Sequence, residues 1–132
     1  GHARCIVDLD TYMPGYSLYD FGDLVRFTAA TSDEDERDLG KVGTDQMLYR
    51  ALVNGYLTGT GGTLLPREIE LMPFAARLVT YTIGLRFLAD HLAGDVYFKV
   101  HRQGQNLDRA RVQFCMVERM EEQAEQMAVS AS

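Results

Sequence analysis

The fold is decided by residues 66–92, PREIELMPFAARLVTYTIGLRFLADHL, a long and strongly apolar stretch. Proline at the first helical position costs no hydrogen bond, and Glu68 and Glu70 favour the positive end of the helix dipole. Apolar side chains surround much of the circumference, which predicts a helix in the middle of a core. Pro73 either kinks this helix or marks a junction between two helices. Residues 93–95, Ala-Gly-Asp, end it.

Further helices are predicted on both sides of that stretch. Residues 19–27 suit a short helix, and Thr44 is predicted to cap a second one that residues 59–62 stop. Asn106 is predicted to cap the last helix. The β-rich run is residues 5–7, Cys-Ile-Val. The chain is therefore expected to be mainly α, with one short β element at its N-terminus.

Composition limits the class of protein. The chain has 132 residues, a formal net charge of −6 and 46% hydrophobic residues, which suit one compact domain with a real core. The acidic balance argues against nucleic acid as a partner, because such proteins need a basic surface. No apolar run of about eighteen residues and no signal-peptide pattern occurs, so we expect no membrane partner and no secretion. Cys5 and Cys115 form no CxxC motif and are predicted to be reduced, buried thiols of a cytoplasmic protein.

The first residues predict that the sequence is a piece of a longer protein. Gly1-His2 looks like the remnant of a cleaved expression tag. Residues 3–132 begin directly in a strand pattern without a preceding cap or turn, and a lone strand has nothing with which to pair. We therefore expect residues 3–132 to belong to a larger unit.

Two carboxylates follow the predicted strand. Asp8 and Asp10 come directly after the apolar run at residues 5–7. A carboxylate at the end of a buried strand is held rigidly, and Mg²⁺ binds one or two such carboxylates together with substrate phosphates. The alternative is that these acids only cap turns and helices. Spacing alone leaves both interpretations open.

Five stretches, taken in order, resemble one family. They are Ile6–Gly15, Tyr19–Phe27, Gly84–Asp90, Gly94–Lys99 and Asn106–Arg111. As a set they resemble the carboxyl-terminal half of the aminoglycoside phosphotransferase and choline kinase superfamily, most closely its branch of N-acetylhexosamine kinases. The resemblance implies a protein-kinase-like, two-lobed fold. Residues 3–132 would be the helical carboxyl-terminal portion of the larger lobe.

The resemblance also implies roles for the acidic residues. Asp8 would bind Mg²⁺ as the Asp that opens the kinase magnesium motif, and Asp10 would be an auxiliary ligand. Residues 20–22, Asp-Phe-Gly, spell the same motif, but in the family Asp20 supports the catalytic loop from below. The alternative for Asp20 is a cap at the entry of a helix. The family's phosphate loop, strand lysine and catalytic Asp all precede Asp8, so no catalytic residue is expected in this chain.

Three positions match the sugar pocket of the family. Phe27 would stack on a pyranose ring, Arg86 would donate to hydroxyl or acetamide oxygens, and Tyr97 would offer its hydroxyl. The alternatives are a core position for Phe27 and simple packing for Tyr97. Arg86 would alternatively be buried against Asp90 or Asp20.

Two hypotheses for function follow. In the first, the chain is a fragment of a small-molecule kinase that transfers the γ-phosphoryl of ATP to a sugar hydroxyl, with an N-acetylhexosamine as the expected acceptor. ATP and Mg²⁺ would bind to the full-length parent, and the fragment alone would be inactive. In the second, the chain is a stand-alone helical interaction module. It would have no catalytic role and would dimerise through exposed apolar helix faces. Under the first hypothesis, removal of the rest of the parent would expose apolar surface around residues 5–7 and Phe27, which predicts a two-fold dimer through the N-terminal strand or that face.

Overall fold

The computed structural model describes residues 18–129. The predicted strand at residues 5–7, together with Asp8 and Asp10, lies outside these residues. Residues 18–129 are mainly helical, which confirms the mainly α class, and they contain no strand. An isolated antiparallel bridge joins Ala30 to Thr44.

Six helices and one 3-10 turn make up the described part of the chain. The helices are α1 (Leu18–Thr28), α2 (Gln46–Gly59), α3 (Pro66–Glu70), α4 (Met72–Ala93), α5 (Gln105–Glu122) and α6 (Ala124–Met127), and the 3-10 turn is Leu39–Lys41. None of these described helices is long and apolar enough to cross a membrane.

The N-cap predicted for α2 was one residue off. Asp45, not Thr44, caps the helix, and its Oδ1 accepts hydrogen bonds from the backbone N–H groups of Met47 and Leu48. Thr44 instead lies in the bridge to Ala30. Both residue types can cap a helix. Because Thr44 is part of the bridge to Ala30, Asp45 is the residue that lies at the start of the helix.

The stretch at residues 66–92 forms two helices, which confirms the junction alternative at Pro73. Leu71 separates α3 from α4, and its backbone N–H donates to the carbonyl oxygens of Arg67 and Glu68. Pro73 lies in the first turn of α4, where its missing N–H costs no hydrogen bond. Gly94 ends α4 in the left-handed conformation, with φ of 96°.

Two glycines allow close packing of α4 against α1 and α5. A Cβ atom at Gly22 of α1 would lie 2.5 Å from the carbonyl oxygen of Ala75 and 2.8 Å from Val79. A Cβ atom at Gly84 of α4 would lie 2.8 Å from the Phe114 ring on α5. The two helices of each pair therefore lie closer together than a residue with a side chain at the glycine position would permit.

The prediction that α4 runs through the middle of a core is only half right. Its face toward α1 and α5 is buried, with Met72, Ala76 and Val79 almost fully covered. Its opposite face carries large apolar side chains that remain exposed, among them Phe74, Tyr81, Leu85 and Leu92. Within residues 18–129 no helix covers that face.

The C-terminal turn of the chain is fastened to α2. The buried hydroxyl of Tyr49 donates to the carbonyl oxygen of Met127 at 2.7 Å. The Phe21 ring of α1 packs beside Tyr49, at 6.3 Å between centroids, and beside Tyr56, at 5.1 Å. This aromatic group joins α1, α2 and α6 around one part of the core.

Candidate functional site

The first part of the loop between α4 and α5 is anchored by the carboxylate of Asp90. Its Oδ1 accepts from the backbone N–H groups of Val96 at 3.0 Å and Tyr97 at 2.7 Å. Its Oδ2 accepts from the N–H of Phe98 at 3.0 Å and from the side-chain amide of Asn106 at 2.8 Å. Three successive backbone amides are thereby fixed relative to the end of α4.

This set of donors keeps Asp90 ionised. Burial opposes the charged form and by itself would raise the pKa of Asp90. The hydrogen bonds from the backbone of Phe98, Tyr97 and Val96, and from Asn106, act in the opposite direction and hold the pKa below its usual value. The Asp90 carboxylate therefore remains charged throughout the neutral pH range.

Asn106 was predicted to cap α5, and this prediction was wrong. The helix begins at Gln105 after Gly104, and Asn106 is fully buried within it. Its side-chain amide donates to Asp90 and, at 3.1 Å, to Asp95. Asp95 has a positive φ of 61°, a conformation that Asp tolerates better than most residues.

Arg109 extends this network along α5. Its guanidinium donates to the side-chain oxygen of Asn106 at 2.9 Å and to the carbonyl oxygen of Lys99 at 3.0 Å. It also lies over the Phe87 ring, 5.6 Å from the centroid. The first half of the loop is thus held from α4 by Asp90 and from α5 by Arg109.

The far end of the loop is fastened by a second ionic group. Arg102 contacts Asp108 at 2.7 Å and Asp35 at 3.3 Å. Burial would raise the pKa of Asp108, but its hydrogen bonds with Arg102 and Arg37 hold it below the usual value. We assign this group a structural role, because its charges are paired with one another.

An open surface pocket of about 310 Å³ lies above the anchored part of the loop. Its lining residues are Arg86, Ala89, Asp90, Ala93, Tyr97 and Phe98. Arg86 and Tyr97, two of the three residues predicted to bind a sugar, therefore line one pocket. Tyr97 is 75% exposed, and its ring meets the Phe98 ring edge-on, at 4.9 Å between centroids.

The structure bears differently on the alternatives for these two residues. Arg86 is exposed and is not buried against Asp90, whose hydrogen bonds among the described residues come from the loop and Asn106. The backbone N–H of Tyr97 is held by Asp90, and its ring packs against Phe98 while the residue stays exposed, so the packing alternative remains open. The pocket offers a guanidinium, a phenol hydroxyl and an aromatic face in a small area. These groups can donate hydrogen bonds to oxygen atoms of a ligand and stack on its apolar face.

Phe27 lies at a different pocket. It is 74% exposed, so the core alternative is wrong. It borders a pocket of about 230 Å³ together with Arg26, Glu34 and Gln113. Arg26 donates to Asp23 at 2.9 Å and lies 3.3 Å from Glu34. The third predicted sugar-binding residue is thus not at the pocket of Arg86 and Tyr97.

Asp20 lies in the first turn of α1 and is exposed. A carboxylate there is favoured by the helix dipole. Burial is the main cause that raises the pKa of the Tyr56 hydroxyl, and the charges of Glu68 and Asp20 add to it. Asp20 therefore faces the same region as Tyr56, on the surface where α1 begins.

The predicted magnesium ligands, Asp8 and Asp10, lie outside the described residues. Within residues 18–129, no group of three or more His, Cys, Asp or Glu side chains is arranged so that it could hold a metal ion. Cys115 is a free, buried thiol, as predicted.

Sequence reasoning missed the roles of Asp90 and Asn106. Asp90 lies in the last turn of α4, where the helix dipole disfavours a carboxylate. An acid at that position followed by Gly94 is a usable signal that local N–H donors compensate its charge. For Asn106 no comparable signal exists, because Asn is common at helix starts.

A scan of the chain against models of known protein families finds no match.

Proposed function

We propose that this chain forms the carboxyl-terminal portion of a small-molecule kinase, one that transfers the γ-phosphoryl of ATP to the anomeric hydroxyl of an N-acetylhexosamine. The family assignment rests on the five ordered stretches that resemble such kinases. The observation that supports the acceptor class is the pocket that Arg86 and Tyr97 both line.

The role of the pocket is to hold the acceptor sugar. The guanidinium of Arg86 donates to hydroxyl or acetamide oxygens, and the Tyr97 hydroxyl both donates and accepts. Asp90 acts on this site through the backbone, because its bonds to residues 96–98 set the position of the Tyr97 ring. Asp90 is therefore a positioning residue.

Phosphoryl transfer needs positioning and charge neutralisation more than covalent chemistry. Mg²⁺ supplies that neutralisation when bound, and by the resemblance Asp8 would hold it with help from Asp10. Asp20 would brace the catalytic loop of the parent.

The sugar site can be tested on the chain itself. In a titration of ¹⁵N-labelled chain with N-acetylglucosamine, we expect the amide signals of residues 96–98 to shift. Arg86→Ala and Tyr97→Ala should abolish these shifts. Arg111→Ala, an exposed arginine on α5, is the matched control and should leave them unchanged. Unaltered spectra at high sugar concentration would refute a sugar site here.

A Phe27→Ala variant in the same titration tests whether the two pockets act together. If Phe27 contributes to the sugar site, its loss should weaken the shifts at residues 96–98. If the sugar occupies only the pocket of Arg86 and Tyr97, the shifts should persist. Choline, titrated in parallel, separates an acceptor of another family branch from a sugar.

The transfer reaction requires the upstream polypeptide that the resemblance implies. In that longer protein, Asp8→Asn should lower kcat by roughly 10²–10³-fold, the typical cost of one lost electrostatic contact to the transition state. Asp20→Asn should lower both kcat and the free energy of unfolding, because Asp20 is proposed to support the catalytic loop and not to bind the metal. The 132-residue chain alone should consume no ATP above background, and turnover by this chain would refute the assignment.

A further inference from the structure

The pocket of about 230 Å³ beside Phe27 lies between the end of α1 and the middle of α5, and we call it the α1–α5 pocket. Both helices are held close to α4 by the contacts at Gly22 and Gly84, and the segment that follows α1 also lines the pocket. It shares no described lining residue with the pocket of Arg86 and Tyr97. The proposed sugar site therefore leaves the α1–α5 pocket without a role.

The α1–α5 pocket has an apolar floor and an aromatic side. Val112 and Met116 lie one helical turn apart on α5 and are each only 1% exposed, so they form the floor. Phe27 is 74% exposed at the edge of the pocket. An exposed aromatic ring next to a buried apolar surface suits a flat ring that can stack on it.

Gln113 supplies hydrogen-bond donors from inside the pocket. The residue is 2% exposed, and its Oε1 lies 3.5 Å from Nη1 of Arg26, which directs Nε2 away from that arginine. Within residues 18–129 no hydrogen bond uses Nε2 of Gln113. Its two N–H groups are therefore available to an oxygen atom of a ligand.

Arg26 supplies a second set of donors next to Gln113. Its side chain is 11% exposed, and its Nε donates to Asp23 at 2.9 Å while Nη1 lies 3.3 Å from Glu34. These two contacts fix the plane of the guanidinium. Its Nη2 has no hydrogen-bond partner in the described part of the chain. A carbonyl oxygen is the acceptor that suits such fixed N–H groups.

The ionic groups around the pocket leave no excess of positive charge. Arg26 is paired with Asp23 and Glu34, and Arg109 lies 3.6 Å from Glu34. Asp33 also lines the pocket and adds an exposed carboxylate. An anion would be repelled by these carboxylates, and a cation would be repelled by the two guanidinium groups. The charges therefore favour a neutral ligand, one whose own N–H group can donate to a carboxylate.

We propose that the α1–α5 pocket binds a neutral ring compound that carries a carboxamide or lactam group. The carbonyl oxygen accepts from Gln113 and Arg26, the N–H group of the ligand donates to Glu34, and the ring stacks on Phe27. The volume lies below the roughly 300–1,000 Å³ of sites for drug-sized ligands, which limits the occupant to a compound with a single ring. The proposal does not depend on the kinase function.

Titration of the ¹⁵N-labelled 132-residue chain with benzamide tests this proposal. We expect the side-chain amide signals of Gln113 and the backbone signals of residues 26–34 to shift, while those of residues 96–98 stay in place. Benzoate and benzylamine are close in shape to benzamide but carry a negative and a positive charge. Each should bind roughly tenfold more weakly, and benzoate that binds as well as benzamide would overturn the neutral class.

Two variants test the groups that hold the ligand. Gln113→Glu keeps the shape of the side chain and an acceptor for Arg26 but removes the N–H donors, so benzamide should bind roughly tenfold more weakly or worse. Phe27→Ala, at an exposed position, should weaken binding roughly three- to tenfold. Leu24→Ala, at a 47% exposed position on the same helix, is the matched control and should leave binding unchanged. Circular dichroism checks that each variant keeps its helices.

Two further results would overturn the proposed site. One is a wild-type spectrum that does not change at the solubility limit of benzamide. The other is binding that survives both Gln113→Glu and Phe27→Ala, or that shifts only residues 96–98, because either result would place the compound elsewhere. A failure of the N-acetylglucosamine titration is distinguishable from both, since that titration is followed at residues 96–98.

Discussion

At the residue scale, the carboxylate of Asp90 accepts hydrogen bonds from three backbone N–H groups and one side-chain amide. A carboxylate is suited to this position because both of its oxygens only accept. An asparagine would turn an N–H group toward N–H donors and leave some of them unsatisfied. The charge of Asp90 is therefore part of the structure of the loop.

Asp90→Asn should lower the melting temperature at neutral pH and flatten its dependence on pH. The pKa of Asp90 is lowered in the folded chain, so its contribution to stability is complete above the unfolded value of about 3.9 and is lost as the pH falls through the folded value. Thermal melts between neutral and strongly acidic pH measure this. Asp33→Asn, at an exposed position, is the control. Parallel curves for wild type and Asp90→Asn would contradict the role of this charge.

Asp90 also shows why the candidate site could be predicted only in part from the sequence. Arg86 and Tyr97 were selected by resemblance, because their residue types and neighbours are local features of the sequence. The bond between Asp90 and Asn106 joins residues sixteen apart and depends on how α4 and α5 meet. Local preference placed Asn106 at a helix cap, and tertiary contact placed it inside the helix.

At the element scale, the packing of α1 on α4 depends on the missing side chain of Gly22. The nearest atom to a Cβ at this position is a backbone carbonyl oxygen, that of Ala75 at 2.5 Å. A backbone oxygen within a helix cannot turn aside as a flexible side chain can. Any larger residue must push the two helices apart.

Gly22→Ala should destabilise the chain by about 1–3 kcal/mol, because the forced separation outweighs the better helix propensity of alanine. Gly55→Ala is the matched control: Gly55 lies within α2, and a Cβ there would meet nothing within 4 Å. That change should stabilise the chain by about 0.5–1 kcal/mol. Urea unfolding of both variants measures the difference, and equal effects would show that α1 and α4 can adjust.

Helix boundaries were predictable where a single residue determines them. Pro66 starts α3 and Gly94 ends α4, as expected from their backbone preferences. Thr44 and Asp45 are both good caps, and the bridge from Thr44 to Ala30 decided between them. The sequence alone does not show that this bridge forms.

At the scale of the whole molecule, Tyr49 joins the C-terminal turn to the rest of the core. Burial raises the pKa of its hydroxyl, against the smaller opposing effects of Arg77 and Arg50. The hydroxyl therefore stays protonated and donates to the carbonyl oxygen of Met127. This hydrogen bond joins two residues that are 78 positions apart in the chain.

Tyr49→Phe should lower the free energy of unfolding by about 1–3 kcal/mol, because it leaves a buried carbonyl oxygen without its donor. Hydrogen exchange should also become faster in α6. Tyr97→Phe removes an exposed hydroxyl and should change the stability by less than about 0.5 kcal/mol. Equal melting curves for Tyr49→Phe and wild type would show that α6 is held by other contacts.

The mainly helical class was predictable because the helices carry their own signals in sequence. The exposure of the outer face of α4 was not predictable, because Leu85 and Leu92 are of a residue type that is usually buried. A helix whose apolar residues surround much of its circumference was predicted to lie in the middle of a core. The described fold covers it on one side.

The anchoring of the α4–α5 loop also determines where its length can vary. Residues 96–98 are tied to Asp90, so an inserted residue between Asp90 and Val96 would shift Tyr97 away from Arg86. Directly after Lys99, an insertion would lengthen the return to α5 and leave that register untouched, provided that Arg102 still reaches Asp108 and Asp35. Side-chain changes at Val96 and Tyr97 are tolerated by the backbone, because both side chains point outward while their amides are held. A library designed to alter ligand preference should therefore vary residue identity before Lys99 and loop length after it.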